Sequence, residues 1–163
     1  MRLTSYSDFS LRVLIYLATH RGRVVSTEEI SKAYGISNNH LVKVVNNLGH
    51  HNFLKVKRGR HGGIMLDREP SEINVGAVLR ASEPDFFLAE CFGPGNQCPI
   101  ASACRLKGLL AEARDAFMNV LNSRTLADLI DDGAAIEAYR VLFLNHEPEE
   151  DTFALTPLNE QSG

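Results

Sequence analysis

The sequence predicts a mainly α fold: a winged helix-turn-helix with a two-stranded β wing, followed by a cysteine loop and a long helix suited to dimerisation. Three observations carry this expectation. Two short amphipathic patterns meet at Gly35, and a glycine-rich, cationic segment with alternating apolar residues follows at 53–66. All three cysteines then fall between Cys91 and Cys104, just ahead of a heptad-like apolar seam.

Composition sets the frame. A chain of 163 residues with 44% hydrophobic content suits one ordinary domain or a small domain with an extension and can fill a core, which argues against a disordered protein. The apolar run Val13–Ala18 is too short for a membrane span, and Arg2, Asp8 and Arg12 interrupt any secretory leader, so a cytoplasmic protein with no membrane partner is expected. The net charge of −3 hides a division. Residues 1–66 hold ten Lys/Arg against three Asp/Glu, and the remainder holds seven against seventeen. A basic first half on an acidic whole points to one face that meets a polyanion.

Leu11, Leu14, Ile15 and Ala18 recur at helical spacing, which predicts a first helix over 7–19. In "STEEISKAYG", Ser26 and Glu29 have capping-box spacing, Ile30 and Ala33 face inward, and Gly35 can supply the positive φ that ends a second helix. Ser37 can cap a third, in which Leu41, Val44, Val45 and Leu48 form one apolar stripe. Opposite that stripe lie Asn39, Lys43 and Asn46, with Asn38 and His40 near the helix start. Asn can bond an adenine edge and Lys can reach guanine or phosphate. This face reads either as a plain solvated surface or as a recognition helix for double-stranded operator DNA.

The next segment favours recognition. "FLKVKRGRHGGIML" alternates as two strands, Leu54 and Val56 against Ile64 and Leu66, around Gly59, Gly62 and Gly63. Lys57, Arg58, Arg60 and His61 make this hairpin a cationic wing suited to phosphate contact, with an arginine able to enter the minor groove. A DNA-binding winged helix-turn-helix follows from the combination.

Beyond the wing, "SEINVGAVLRASEP" predicts a short helix capped by Ser71 or Asn74. From about Ser102, Leu106, Leu110, Ala113, Phe117 and Val120 step by four and three, the seam of a helix that needs a partner, so a homodimer is expected. "TLADLIDD" and "AAIEAYRVLFL" add further helical or extended pieces, and the acidic tail 146–163 reads as disordered. No phosphate loop, zinc-protease helix or serine elbow is present, so no enzyme is expected.

Three cysteines cannot all pair within one chain, and a cytoplasmic protein keeps its thiols reduced. The spacing, six residues and then five, lacks the Cys-x₂₋₄-Cys knuckles of structural zinc and suits the wider span of an iron–sulfur cluster. On spacing alone a cluster, zinc and inert thiols all remain open.

The stretches "LTSYSDFSLRVLIYLA", "GISNNHLVKVVNNL", "RGRHGGIML", "ACRLK" and "TLADL" resemble the iron–sulfur winged-helix transcriptional regulators, in particular their nitric-oxide-sensing repressors, over about residues 1–130. The resemblance implies a homodimer in which Cys91, Cys98 and Cys104 hold a cluster, four-iron in preference to two-iron, with the partner subunit's Asp8 as fourth ligand. It also implies Arg12 and Glu83 as residues that orient the ligand set. Members that regulate by iron–sulfur or redox status carry a His three residues after the last cysteine, where this chain has Lys107. A regulator of that iron–sulfur or redox-status type and a zinc-stabilised DNA-binding protein are the alternatives. The expected organisation is a DNA-binding domain (1–82), a cluster loop (83–105), a dimerisation helix with C-terminal elements (106–145) and the tail (146–163).

Overall fold

Thr4 starts the first helix by accepting the Ser7 N–H, and α1 runs Ser5–Thr19. The computed structural model describes residues 2–60, 62–130 and 133–145, so His61 and the tail 146–163 lie outside the described residues. α1 is the central pillar. Val13 and Leu14 are fully buried, and the helix packs against the third and fourth helices and the second strand.

α2 (Thr27–Tyr34) begins where Ser26 accepts the Glu29 N–H, as the spacing predicts. The capping box closes on this side only. The Glu29 carboxylate turns instead to the Arg23 guanidinium and the Tyr16 hydroxyl, because the guanidinium offers a full positive charge and two N–H donors, one to each carboxylate oxygen, where the backbone offers a single neutral N–H. Gly35 ends α2 at φ 64°, a left-handed conformation that costs glycine nothing. Ser37 then caps α3 (Asn38–His50). Its stripe of Leu41, Val44, Val45 and Leu48 is buried, each side chain contributing about 1.5–3 kcal/mol, and it packs on α1 and α2.

Strands β1 (Leu54–Lys57) and β2 (Gly63–Leu66) pair antiparallel, with Leu54 opposite Leu66 and Lys57 opposite Gly63. Leu54 and Ile64 point into the core, and reciprocal backbone bonds of 2.9 and 2.8 Å join Ile64 to Val25. Leu54 at the base and Ile64 nearer the turn thereby hold the wing to the core, and residues 57–60 beyond them are exposed. A Cβ at Gly62 would overlap the carbonyls of Lys57 and Gly59, so the tip closes on glycine alone.

α4 (Val75–Ser82) takes Asn74 as its cap, whereas Ser71 sits in the preceding 3-10 turn, Pro70–Glu72. α5 (Arg105–Asn122) begins after Cys104, three residues later than the apolar pattern suggests, because residues 101–103 turn back on Cys98 and Ile100. No residue of α5 is buried, although it packs on α4. The chain then returns to the first domain: the Leu126 N–H donates to Ile73 at 2.8 Å, and Leu126 and Ile130 enter the core built by residues 13–78. α6 (Gly133–Asn145) continues onto α1 and α2, with Phe143 against Tyr16 and Tyr34 and the Arg140 guanidinium donating twice to the Thr19 carbonyl. The winged-helix core therefore includes side chains from beyond residue 82.

Candidate DNA interface and metal centre

The buried stripe of α3 rotates Asn38, Asn39, His40, Lys43 and Asn46 outward, and all five are exposed. Two contacts from α1 brace this helix. The Tyr6 hydroxyl donates to the Lys43 carbonyl at 3.0 Å, and the Phe9 ring lies 6.2 Å from the His40 ring. The register of α3 is thus tied to the first two turns of α1.

On the wing, Lys57, Arg58 and Arg60 are exposed. Ion pairs sort the cations of the basic half. Arg12 pairs with Asp8, Arg21 with Glu69, Arg23 with Glu29, Lys32 with Glu28 and Lys55 with Asp67. Among the described residues no ion pair engages Lys43, Lys57, Arg58 or Arg60. Among the described residues, Lys43 on the outer face of α3 and Lys57, Arg58 and Arg60 of the wing thus remain outside the ion pairs, where a phosphate backbone could neutralise them.

The cysteine loop follows α4. Cys91 lies in a 3-10 turn, Glu90–Phe92, and the Cys98 N–H donates to the Asn96 side chain at 3.1 Å. Cys104 stands at the start of α5, the end of a helix dipole that favours negative charge. The Glu90 carboxylate accepts the Gln97 N–H at 2.9 Å, and the Arg114 guanidinium lies 5.5 Å over the Phe92 ring, so the loop is braced on itself and on α5. All three thiols are free and half-buried. Among the described residues, no three His, Cys, Asp or Glu side chains converge as metal ligands. The three cysteines thus share one loop without their thiols meeting at one point. The donor chemistry, three soft thiols on one loop and none in a disulfide, fits an iron–sulfur cluster.

Asp8 occupies the first turn of α1, paired with Arg12 at 2.9 Å and 44% exposed, so its carboxylate is held in a fixed direction yet remains reachable. Arg12 also lies 5.7 Å over the Tyr34 ring. Glu83 ends α4 and accepts both the N–H and the hydroxyl of Thr4. Sequence reasoning did not find Thr4 or Tyr6 as linking residues: their partners lie 79 and 37 positions away, and no local pattern signals such contacts.

The fold and these surfaces define a winged-helix DNA-binding regulator with a cysteine loop. Residues 3–132 match the family model described as Rrf2, Iron-dependent Transcriptional regulator, and the chain belongs to that family. It is 46% identical over 132 residues to the HTH-type transcriptional regulator NsrR of Bacillus licheniformis, covering 80% of this chain and 92% of that protein. It is 42% identical over 140 residues to NsrR of Geobacillus kaustophilus, covering 85% and 95%. Among solved structures, CymR, the global cysteine regulator of B. subtilis, superposes with a TM-score of 0.65 at 27% identity, over 79% of this chain and 95% of that one. T. potens IscR superposes with a TM-score of 0.65 at 26% identity, over 81% and 88%. The chain is a transcriptional regulator of this family and not an enzyme, and among the described residues no helix is long and apolar enough to cross a membrane.

Proposed function

We propose that the chain is a cytoplasmic, homodimeric repressor that senses nitric oxide through an iron–sulfur cluster and releases operator DNA in response. The observation that carries this reading is the set of three free, half-buried cysteines on a loop whose first residue, Glu83, is bonded to the start of α1. The similarity to NsrR proteins supports it.

Cys91, Cys98 and Cys104 would hold the cluster with the partner subunit's Asp8, and Lys107 stands where an iron–sulfur-status regulator of the same fold would carry a histidine. Once bound, a four-iron cluster would supply iron that nitric oxide coordinates strongly, most accessibly at the carboxylate corner, because oxygen holds iron less firmly than thiolate does. The remaining steps belong to the protein. Arg12 orients the Asp8 carboxylate, and Asp8 ties α1 to the partner's loop. Tyr6, half a turn before Asp8, passes the position of α1 to α3 through the Lys43 carbonyl. The exposed apolar side chains Leu106, Leu109 and Val120 of α5, each about three-fifths exposed in one protomer, supply the face on which the dimer closes. A dimer held at both points keeps its two recognition helices at the spacing of successive major grooves. Loss of the Asp8 tether removes one of those constraints.

To pass from nearly all bound to nearly all free, the intact form must bind DNA roughly 10⁴-fold more tightly, about 5.5 kcal/mol. The test begins with protein purified without oxygen, which is expected to be brown with about four irons per monomer. An anaerobic DNA-shift titration with nitric oxide is then expected to release the operator. Colourless protein carrying stoichiometric zinc would falsify the cluster, and protein that keeps its operator after complete reaction with nitric oxide would remove the sensing role.

A further inference from the structure

Helix α3 carries one large apolar side chain that its fold buries only in part. Val42 is 44% exposed at the flank of the buried stripe of Leu41, Val44, Val45 and Leu48, between that stripe and the outward face that carries Asn39 and Asn46. A β-branched residue is a poorer helix former than alanine, and this one leaves nearly half of its surface in water. Its neighbours on the helix surface are Asn38 at i−4, Asn39 at i−3 and Asn46 at i+4, all exposed, and the buried Val45 at i+3. No acidic residue occurs anywhere in α3. Val42 is therefore an apolar spot at the edge of a polar, uncharged-to-basic surface, beside three amides.

That juxtaposition has a chemical counterpart in the major groove. An asparagine can bond adenine through N6 and N7, and the thymine of an A·T pair presents there a 5-methyl group that only an apolar contact can read. We propose that Val42 is a specificity-determining residue that takes a thymine 5-methyl group in each half-site, next to the bases that Asn39 or Asn46 contacts. The assignment rests on the reading of α3 as the recognition helix. It adds a position that hydrogen-bonding chemistry alone does not indicate, because Val42 has no polar atom in its side chain.

The experiment uses full-length protein prepared without oxygen. Its preferred sites are selected from a random duplex library, and each thymine of the selected site is then replaced singly by deoxyuridine, which lacks only the 5-methyl group. Wild-type protein is expected to bind about fourfold more weakly per half-site at one thymine position, the worth of one buried methyl group. Val42→Ala is expected to bind the thymine and deoxyuridine forms equally, with an unchanged thermal melt and an unchanged salt slope, since no phosphate contact is lost. Asn39→Ala, measured in parallel, is expected to relax the preference for adenine. If Asn39→Ala relaxes base preference while Val42→Ala still separates thymine from deoxyuridine by the wild-type factor, the role of Val42 is overturned and the recognition helix stands. If neither variant alters base preference, the recognition-helix reading falls and the proposal falls with it. Wild-type protein indifferent to every thymine replacement also overturns it.

Discussion

Glu83 accepts two hydrogen bonds from Thr4, one from the backbone N–H at 2.8 Å and one from the hydroxyl at 3.2 Å. Thr4 caps the helix that carries Asp8, and Glu83 is the first residue of the cysteine loop. One carboxylate thus ties the two regions on which the proposed signal depends. Glu83→Gln keeps an acceptor and is expected to stay near wild-type stability, whereas Glu83→Leu strands the Thr4 groups and is expected to cost about 1–2 kcal/mol. Urea unfolding at constant slope reads the difference. Equal midpoints for the two variants would show that the bonds contribute nothing.

The wing cations should behave according to their partners. Arg58→Ala and Arg60→Ala are each expected to lower the salt slope of DNA binding by about 0.9 per lost phosphate contact. Lys55→Ala should change it less, because Lys55 lies 3.6 Å from the Asp67 carboxylate. Binding measured over a range of salt concentrations distinguishes them, and a larger loss in Lys55→Ala than in Arg60→Ala would contradict the division.

The proposed ligand set separates by position. Replacing Cys91, Cys98 or Cys104 by Ala is expected to abolish the cluster, while Asp8→Ala should retain it with an altered absorption spectrum and lower stability. An Asp8→Ala spectrum identical to wild type would remove Asp8 from the set.

Helix α6 is expected to stabilise the DNA-binding domain. Phe143 lies 4.8 Å from the Tyr16 ring and 5.0 Å from the Tyr34 ring, centroid to centroid, and it is half-buried. Phe143→Ala should cost about 2 kcal/mol, less than a fully buried phenylalanine. Arg140→Ala should cost about 1 kcal/mol through the lost bonds to Thr19. Thermal melting tests both, and unchanged melting in Phe143→Ala would show that α6 does not hold this face.

Acid stability should depend on Glu29. The Arg23 guanidinium, and to a lesser extent the Tyr16 hydroxyl, hold its carboxyl below the ordinary value of 4.5. Because the folded value is the lower one, the contribution is complete above about pH 4.5 and is lost as pH falls through the folded value. Glu29→Gln is therefore expected to flatten the fall in stability below about pH 4.5, measured as urea midpoints. A parallel loss in both proteins would assign the acid limb to other groups.

The sequence by itself determined the local elements. Ser26, Gly35 and Ser37 mark the helix boundaries because caps and left-handed turns depend on a few adjacent residues. Leu41, Val44, Val45 and Leu48 mark a buried face because helical periodicity is a property of spacing. The three-cysteine loop was equally legible, since the identity and number of the thiols need no coordinates. Only the tertiary structure decided where Glu29 spends its carboxylate, because the choice between its own helix and Arg23 depends on a neighbour brought close by the α1–α2 turn. It also decided that Leu126, Ile130 and α6 belong to the winged-helix core, a join that crosses the whole length of α5. The same holds for the ties from Thr4 to Glu83 and from Tyr6 to Lys43. A hydrogen bond between residues far apart in sequence leaves no periodic trace, because it is set by how the helices pack and not by the residues on either side of it.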